Sequence, residues 1–573
     1  MRCRLLLLMM TSLTLVVAQA SASGAGAASA PLPISPQEAQ KIDALFDKWS
    51  KPDTPGCALG VVQDGATIYQ HNYGLADVEH LIPITGSTVF EVGSVTKQFT
   101  AFAIYLLEKE GRLSLDDDVR KYLPELHDFG KPITIRHLLH HTSGLRDQWE
   151  LLDLASWRED DVITQQDVLN MIWRQRELNF APGDQFMYSN TGYTLLGVIV
   201  ERVSGMSLRQ FTDERIFKPL GMEHTHIHEH YGDLVRNRAY SYDRKPDGTY
   251  IYVASSYSTV GPSGIFTTVG DLARWDENFY SGRIGGKDLL AQMQQKGRLN
   301  NGKDIDYASA LEIGQYRGLQ TVYHNGGDAG YRAEILRLPE AHFSVITLCN
   351  ATDTPLPSRK VSEILLSSRM QPVPPKSEPT QVKIDPALLD AYVGDYQLPR
   401  LVLRITREGD QLMAQALGSE EKVPIFPSSQ TNFFAKAFPA EVIFDRPAGT
   451  DKAQSLTLRR ESDRYGGRIT VVQPTPKQLA AYSGTYYSDE LDTTYTVSVQ
   501  DSKLHMRLPR EEGPVVAGSK DVFYGDFFGR VEVQFHCGSA RSCDAFQISG
   551  GSGWVQNLRF RRINLPSREP ESH

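Results

Sequence analysis

The sequence predicts an α+β unit followed by two small antiparallel β-barrels. A chain of 573 residues is too long for a single core, because domains usually hold about 100–200 residues. Helix-like and strand-like hydrophobic patterns alternate up to residue 370, where a segment rich in proline and polar residues, 371–383, interrupts them. Beyond that segment only short alternating strands follow, and their pattern repeats.

The first twenty residues have the features of a secretory signal peptide. Arg2 and Arg4 precede an apolar run, and Ala18-Gln19-Ala20 is a small-residue cleavage pattern. Residues 21–34, rich in Ala, Ser and Gly, are expected to form a flexible lead. We therefore expect cleavage near Ala20, a periplasmic or secreted protein, and no integral membrane span afterwards. An uncleaved N-terminal anchor is the alternative.

The unit at 35–370 is predicted to combine an antiparallel sheet with a helical region. The predicted strands are 56–63, 66–70, 319–323, 333–338 and 343–349. Asp64-Gly65 supplies the positive φ angles of a tight hairpin turn between the first two strands. The clearest helical patterns lie between the early and late strands, at 94–111 and 192–203. The sheet is therefore expected to draw strands from both ends of the unit.

The two barrels are predicted at 384–473 and 474–573. The pattern Leu389-x-x-Tyr392-x-Gly394-x-Tyr396 recurs as Leu479-x-x-Tyr482-x-Gly484-x-Tyr486. Short alternating runs separated by turns follow each copy, as expected for a small all-β barrel. Neither copy contains a cluster that resembles a catalytic site, so the barrels are interpreted as packing and capping modules.

Charge and cysteine content restrict the possible partners and chemistry. With 60 Lys and Arg against 69 Asp and Glu, the net charge is −9, so the chain lacks the basic surface that nucleic-acid binding needs. Cys537 and Cys543 flank a short loop that a disulfide could close. Cys57 and Cys349 lie in apolar strand-like runs and are either buried thiols or one inter-strand bridge.

The strongest catalytic motif is Ser94-Val95-Thr96-Lys97. On a helix, positions i and i+3 share a face, so the lysine amine can take the proton of the serine hydroxyl. The same spacing occurs at Ser419-Glu-Glu-Lys422, but there the flanking residues are charged, whereas Ser94 opens an apolar helix. The alternative is a helix-capping serine beside a solvated lysine.

Two further motifs follow along the chain. Tyr188-Ser189-Asn190 follows a Pro-Gly turn, which would bring a tyrosine base and a positioning amide towards the first helix. His324-Asn325-Gly326-Gly327 lies on a late strand, where glycines allow close approach of the backbone to a ligand. Each pattern is common on its own. A hydrogen-bonded turn and a structural histidine are their alternative interpretations.

In this order and setting, the three motifs resemble the active-site motifs of the serine β-lactamase and penicillin-binding-protein superfamily. They are most similar to its class C-related branch, which includes D-aminopeptidases, DD-carboxypeptidases and family VIII esterases. Further segments that resemble the family are 111–117, 135–145, 219–222 and 261–266. The resemblance covers residues 35–370 and implies a β-lactamase/transpeptidase-like fold. The two C-terminal barrels are similar in layout to those of D-aminopeptidase and resemble lipocalin-like appendages.

The resemblance implies a covalent mechanism at one serine. Ser94 would be the acylated nucleophile, and Lys97 and Tyr188 would share acid–base catalysis, with the identity of the first proton acceptor left open. Asn190 would orient Lys97 and the substrate amide. No metal and no cofactor are implied.

The third motif would complete the substrate site. His324, with Gly326, would occupy the third-motif position, and the backbone N–H groups of Ser94 and Gly327 would form the oxyanion hole. Members that act on penicillins usually carry lysine where this chain has His324, which is largely neutral near its ordinary pKa of about 6.5. This difference favours a peptidase for D-residues or an esterase over a β-lactamase.

The expected function is therefore that of an exported serine hydrolase acting through an acyl-enzyme on Ser94. The expected substrate is a small peptide or amide containing D-amino acids, including peptides derived from peptidoglycan, as for a D-aminopeptidase or DD-carboxypeptidase. An esterase of the family VIII type is one alternative, and an acyl-binding or peptidoglycan-sensing protein with little turnover is another. The oligomeric state is open. An acidic segment of the second barrel, 488–492, is expected to reach over the site and restrict substrates.

A metal-dependent enzyme is a further alternative of a different class. His224, His226, His228 and His230 alternate, so in an extended strand they would all face one way and could act as metal ligands. The run lacks the H-E-x-x-H pattern of zinc proteases. A histidine-bearing surface strand is the preferred interpretation.

Overall fold

The computed structural model describes residues 34–564, apart from 159, 355, 373–378, 461–462, 539–541 and 551. The predicted signal peptide, residues 1–20, and all but the last residue of the predicted lead lie outside these described residues. So does part of the predicted linker at 371–383. Within the described residues, no helix combines the length and the apolar character needed to cross a membrane.

A six-stranded antiparallel sheet organises the first unit. Its strands are β1 (Cys57–Gln63), β2 (Ala66–Tyr73), β3 (Glu312–Tyr316), β4 (Leu319–Asp328), β5 (Tyr331–Leu338) and β6 (Phe343–Cys349). They are ordered β3-β4-β5-β6-β1-β2, so strands from both ends of the unit meet at the β6–β1 pair, as predicted. The β1–β2 turn has positive φ angles at Asp64 and Gly65, in agreement with the hairpin prediction.

Helices cover both faces of this sheet and fill the middle of the unit. They are α1 (Pro36–Asp43), α2 (Lys97–Lys109), α3 (Ile135–Leu139), α4 (Gln148–Leu154), α5 (Gln165–Arg174), α6 (Asn190–Ser204), α7 (Leu208–Thr212), α8 (Lys218–Leu220), α9 (Val269–Ser281), α10 (Gly286–Met293) and α11 (Ser358–Leu365). Alternate residues of β1 belong to two apolar cores, one shared with α1 and α11 and the other with α2, α6 and α9. Burial on both faces explains why β1 is almost continuously apolar.

Short elements connect these parts. The minor strands are Leu75–Asp77 with Ile82–Pro83, Phe90–Glu91 with Ile265–Thr267 and His226–Ile227, Ile163–Thr164 with Tyr257–Ser258, and Tyr242–Arg244 with Tyr250–Tyr252. The 3₁₀ turns are Ala44–Trp49, Gly93–Thr96, Val119–Lys121, Pro339–Ala341 and Ser367–Arg369, and Asp213–Phe217 forms a π turn. The Gly93–Thr96 turn carries the first predicted catalytic residue.

Both pairs of cysteines form disulfides. Cys57 and Cys349 lie directly opposite each other on β1 and β6 and are bonded, which settles the two alternatives for this pair in favour of an inter-strand bridge. Cys537 and Cys543 are also bonded, as predicted. The first bridge joins residues that are 292 positions apart in the sequence, so it ties the two ends of the first unit together.

Two closed eight-stranded antiparallel barrels follow, in agreement with the predicted fold class. The first contains β7 (Gly394–Leu398), β8 (Leu401–Glu408), β9 (Gln411–Ala416), β10 (Lys422–Pro427), β11 (Asn432–Ala435), β12 (Glu441–Asp445), β13 (Ser455–Arg459) and β14 (Asp463–Ile469). The second contains β15 (Gly484–Ser488), β16 (Thr493–Gln500), β17 (Lys503–Arg507), β18 (Glu512–Ala517), β19 (Val522–Asp526), β20 (Arg530–Cys537), β21 (Cys543–Ser549) and β22 (Leu558–Ile563).

The repeated sequence pattern forms the same local structure in both barrels. A short helix, α12 (Pro386–Tyr392) or α13 (Pro476–Tyr482), precedes the first strand of each barrel. The hydroxyl of Tyr396 donates to the carbonyl of Tyr392 at 2.8 Å, and Tyr486 donates to Tyr482 at the same distance. The repeated tyrosines therefore fasten each helix to its barrel.

The two barrels differ in how they pack. The first encloses its own apolar core, which includes Tyr396 and Phe444, and contacts the second through a small cluster around Tyr524. The interior of the second barrel belongs to the same apolar cluster as α2, α4 and α6 of the first unit. The second barrel is therefore packed directly onto the helical region that carries the predicted site.

Candidate active site

The predicted nucleophile lies where a 3₁₀ turn passes into a helix. Ser94 is in the Gly93–Thr96 turn, and Lys97 is the first residue of α2, so the segment is helical as predicted but begins with the tighter turn. Lys97 is fully buried, whereas Ser94 is half-buried at a cavity. The Lys97 Nζ lies 2.9 Å from the Ser94 Oγ, so the two predicted groups are in hydrogen-bond contact.

The contacts of Lys97 fix the direction of its hydrogen bonds. Its Nζ lies 2.8 Å from the Oδ1 of Asn190 and 3.0 Å from the carbonyl oxygen of Pro262, and both oxygens only accept. A neutral amine has two hydrogens and one lone pair. With both hydrogens donated to these oxygens, the lone pair faces the Ser94 hydroxyl.

Burial brings the pKa of Lys97 close to neutrality. Loss of solvation lowers this pKa to about 7, while the negative charges of Asp147, Glu91 and Asp328 act in the opposite direction. A substantial fraction of Lys97 is therefore unprotonated near pH 7, which is the state in which it can accept a proton.

Tyr188 completes the contact around the serine. It lines the same cavity and forms a side-chain hydrogen bond with Ser94. Burial raises the pKa of Tyr188, and the hydrogen bond with Ser94 offsets only part of this rise. The Lys97 Nζ lies 4.9 Å from the centre of its ring. With this raised pKa, Tyr188 keeps its proton over the physiological range.

Asn190 is the first residue of α6, and Asp147 holds its side chain. The carboxylate of Asp147 accepts from the backbone N–H of Asn190 at 2.5 Å and from its Nδ2 at 3.0 Å. Because the Nδ2 is used in this way, the Oδ1 of Asn190 must face Lys97. Asp147 also caps α4 by accepting from Trp149 and is fully buried. Asp147 was not among the site residues predicted from the sequence, although it lies only two positions after the family-like segment 135–145.

The ring of His324 is placed differently from the expectation that it contacts substrate. His324 is buried and is not among the residues described as lining the cavity. Its Nδ1 lies 2.6 Å from the carbonyl of Asn325 and therefore donates, and its Nε2 lies 3.0 Å from the Tyr307 hydroxyl. Burial lowers the pKa of His324 to about 3. Its Nε2 consequently accepts from Tyr307, and no N–H of the ring remains for a substrate.

A second buried histidine extends this chain of hydrogen bonds. The backbone N–H of Ser189 donates to the Nδ1 of His141 at 3.1 Å, so the Nε2 of His141 donates to the Tyr307 hydroxyl, also at 3.1 Å. The hydrogen bonds therefore all donate in one direction, from the second motif towards the third. It supports the loop that carries Tyr188 against β4.

The glycines of the third motif allow β4 to approach the nucleophile closely. A Cβ on Gly326 would lie 2.0 Å from the carbonyl oxygen of Val92 and 2.8 Å from the backbone nitrogen of Ser94. Gly326 is buried in this contact, whereas Gly327 is exposed and lines the cavity beside Ser94. The backbone at Gly327 therefore faces the space next to the serine hydroxyl.

The cavity at Ser94 has five aromatic and two acidic side chains, Asp153 and Asp328, in its wall. Its volume is about 320 Å³, and Tyr188, Asn190 and Gly327 line it together with Ser94. The remaining aromatic side chains of the wall are Trp149, Trp157, Tyr257 and Trp554. Among the described lining residues the cation is Arg158, which is paired with Asp160 and Asp161.

The second barrel reaches the cavity, but through a different segment from the one predicted. Trp554, in the connection between β21 and β22, lines the cavity, with its ring centre 6.0 Å from that of Tyr188. The acidic segment 488–492 is not among the described lining residues. Its Glu490 is buried in an ion pair with Arg146, with 2.7 Å between Oε2 and Nη1.

The histidine run does not form a cluster of possible metal ligands. His226 lies on a two-residue strand, and both His226 and His228 pack against the ring of Phe266. Among the residues that the structure describes, no three His, Cys, Asp or Glu side chains are grouped so that they could hold a metal ion.

Comparison with known proteins relates this chain to β-lactamases, penicillin-binding proteins and D-aminopeptidases. The Beta-lactamase family profile matches residues 40–366, and that of a domain of unknown function, DUF3471, matches 378–467. Penicillin-binding protein 4* of Bacillus subtilis is 33% identical over 437 residues, which cover 73% of this chain and 95% of that protein. The D-aminopeptidase of Gluconobacter oxydans is 25% identical over 491 residues, or 84% of this chain and 86% of that protein.

A solved structure supports the same relationship. The octameric penicillin-binding protein homologue from Pyrococcus abyssi matches with a TM-score of 0.53 and 25% identity, covering 75% of this chain and 99% of that one. The matched Beta-lactamase region includes more than half of the chain and all three motifs. The chain therefore belongs to the Beta-lactamase family and is a serine hydrolase related to the penicillin-binding proteins.

Proposed function

We propose that this chain is an exported hydrolase that transfers the acyl group of small D-amino-acid amides and peptides to Ser94 and then to water. The observation that carries the proposal is the contact of Ser94 with Lys97, held by Asn190, at the wall of a cavity. Likeness to the D-aminopeptidase of Gluconobacter oxydans over 84% of the chain supports this substrate class. The signal-like N-terminal sequence supports export to the periplasm or beyond.

In the acylation step, Lys97 is the base. Its lone pair faces the Ser94 hydroxyl, and a pKa of about 7 leaves it partly unprotonated at neutral pH. As the Oγ of Ser94 attacks the substrate carbonyl carbon, its proton passes to the Lys97 Nζ. The resulting ammonium is stabilised by the Oδ1 of Asn190, the carbonyl of Pro262 and the nearby negative charges.

Tyr188 acts as the acid for the leaving group. Because burial raises its pKa, Tyr188 remains a phenol and can donate its proton as the bond from the carbonyl carbon to the leaving nitrogen breaks. The acyl-enzyme then carries Lys97 as the ammonium and Tyr188 as the phenolate, with the Lys97 Nζ 4.9 Å from the centre of the tyrosine ring. In deacylation the same groups work in reverse, with water in place of the leaving amine.

The backbone N–H groups of Ser94 and Gly327 are proposed to stabilise the oxyanion. The close approach of Gly326 to Val92 and Ser94 supports this assignment, because it fixes the third-motif backbone beside the nucleophile. His324 then contributes by position alone, since both of its ring nitrogens are occupied within the protein.

The charge of the cavity favours an aminopeptidase or amidase over a carboxypeptidase. A carboxypeptidase substrate presents a carboxylate, which needs a cation to bind it. Arg158, the cation among the described lining residues, is already paired with the carboxylates of Asp160 and Asp161. His324, neutral and hydrogen-bonded, does not supply the charge that a lysine would supply at that position. We therefore expect amides of D-amino acids to be better substrates than D-Ala-D-Ala peptides or cephalosporins.

The test compares the mature protein with Ser94→Ala on four substrates with EDTA present: a D-alanine anilide, a D-Ala-D-Ala peptide, a short-chain nitrophenyl ester and a chromogenic cephalosporin. Fastest turnover of the anilide, abolished in the variant, is expected. Turnover of the ester alone would indicate an esterase, and a stable adduct on Ser94 without product would indicate an acyl-binding protein. Equal rates in both proteins would refute the assignment of Ser94.

A further inference from the structure

Arg146, which neither the sequence motifs nor the mechanism above uses, joins the catalytic unit to the second barrel. Its side chain is completely buried. Its Nη1 donates to the Oε2 of Glu490 at 2.7 Å and to the carbonyl of Glu177 at 2.8 Å. Its Nε and Nη2 both donate to the carbonyl of Gln556, at 3.2 and 3.1 Å. The carboxylate of Glu177 also pairs with Arg146, at 3.7 Å between Oε2 and Nη2, so the barrel supplies the nearer of two anions and a main-chain acceptor for this buried cation.

The next residue, Asp147, connects this contact to the catalytic groups. The backbone N–H of Asp147 donates to the carbonyl of Trp554 at 3.2 Å, so the barrel also holds the main chain here. The carboxylate of Asp147 holds both the backbone and the amide of Asn190, and the Oδ1 of Asn190 receives a hydrogen bond from Lys97. One continuous set of hydrogen bonds therefore runs from the second barrel to the base.

The energetics of this arrangement make the barrel contact important. A buried guanidinium that loses its nearer, buried carboxylate is strongly destabilised, because the half-exposed Glu177 at 3.7 Å offsets little of its desolvation. The segment carrying Arg146 and Asp147 would then have to move towards solvent. Without the carboxylate of Asp147, the amide of Asn190 is free to rotate and present its Nδ2 to Lys97, where a donor would face a donor.

We propose that Asp147 is a positioning residue for Lys97, acting through Asn190, and that docking of the second barrel on Arg146 and Asp147 completes the active site. This inference rests on the proposed function of Ser94 and Lys97. It assigns to the second barrel a structural contribution to catalysis, distinct from the contact of Trp554 with the cavity.

The proposal predicts a pH-dependent signature, which depends on all the groups around Lys97. The carboxylates of Asp147, Glu91 and Asp328 raise the pKa of Lys97, and burial lowers it. The other titratable groups near Lys97 are neutral at pH 7: the imidazoles of His141 and His324 and the phenols of Tyr188 and Tyr193. Removing the charge of Asp147 therefore lowers the pKa of Lys97 and shifts the acid limb of kcat/KM to lower pH.

The experiment measures pH profiles of kcat/KM for Asp147→Asn, Asp147→Ala and Glu490→Gln, with Tyr495→Phe as the matched control. Tyr495 is equally buried in the same interface and donates to the carbonyl of Leu154, away from Arg146. The substrate is the compound of the panel that the wild type turns over fastest, and circular dichroism confirms folding of each variant.

Asp147→Asn keeps an acceptor for Asn190 but removes the charge, so its acid limb is expected to shift down by about one pH unit. Asp147→Ala loses both, and its kcat is expected to fall about 100-fold. Glu490→Gln is expected to shift the acid limb in the same direction and to lower kcat by about tenfold or more. Tyr495→Phe is expected to keep the wild-type profile.

Two results would overturn the proposal: an unmoved acid limb in Asp147→Asn, or a Glu490→Gln profile that matches Tyr495→Phe. If Glu490→Gln does not fold, Glu490→Asp tests the same contact, because it keeps the charge but shortens the reach to Arg146. Failure of the proposed function is distinguishable, since Ser94→Ala would then retain activity, whereas failure of this inference alone leaves Ser94→Ala inactive.

Discussion

Replacing Gly326 by alanine tests how strictly the third-motif strand must approach the nucleophile. An added Cβ would lie 2.0 Å from the carbonyl oxygen of Val92, 3.0 Å from the Val92 carbonyl carbon and 2.8 Å from the backbone nitrogen of Ser94. All three atoms belong to the main chain, so no side chain can rotate away. Relief of the contact requires β4 or the turn carrying Ser94 to move.

The size of that movement sets the expected effect. Favourable carbon contacts lie at about 3.5–4.0 Å, so the backbones must separate by about 1.5 Å. A displacement of about 1 Å between reacting groups costs about 100-fold in rate. We expect kcat/KM of Gly326→Ala to fall at least about 100-fold, and the overpacking to lower the free energy of unfolding by about 1–3 kcal/mol.

The assay is kcat/KM on the preferred substrate, together with urea unfolding. Gly270→Ala, in α9, is the matched control, because the closest atoms to its added Cβ are 3.9 Å away. The control is expected to keep full activity. Activity of Gly326→Ala within about threefold of wild type would refute the claim that this close contact fixes the oxyanion site.

Two further predictions concern the cavity wall and the first disulfide. Trp554→Ala removes an indole from the wall of a cavity of about 320 Å³, which makes room for a longer acyl group. The ratio of kcat/KM for a hexanoyl nitrophenyl ester to that for an acetyl nitrophenyl ester is therefore expected to rise about tenfold. The control Phe438→Ala, on the first barrel, is expected to leave this ratio unchanged. An unaltered ratio in Trp554→Ala would contradict a role in limiting acyl size. Joint replacement of Cys57 and Cys349 by alanine removes a bridge between residues 292 positions apart. The free energy of unfolding, measured by urea titration, is expected to fall by up to about 5 kcal/mol. A loss below about 1 kcal/mol would argue against a large stabilising effect of this disulfide.

The fold class was predictable because its signals are local. The Asp64-Gly65 turn, the apolar strands and the repeated tyrosine pattern each specify structure within a few residues, and the structure confirms all three. For the Cys57 and Cys349 pair the sequence left two alternatives open, since pairing of β1 with β6 depends on the path of the whole unit.

The parts of the site that the sequence analysis missed depend on distant contacts. Arg146 and Glu490 are separated by 344 positions, and no local pattern indicates that they meet. The same reason explains why 488–492 was expected at the cavity when Trp554 lies there. His324 was recognisable by its motif, but its hydrogen bond to Tyr307 depends on tertiary packing. The catalytic roles of Ser94, Lys97, Tyr188 and Asn190 stay predictions.

The apolar core shared by the second barrel and the helical region has a consequence for biosynthesis. Residues from the end of the chain, such as Tyr495 and Phe560, are buried in one cluster with α2 and α6. Contacts between such distant segments form late in folding, because the long intervening chain must be ordered first. The enzyme would therefore remain inactive while it is being synthesised, and hydrolysis would begin only after the last strands had docked.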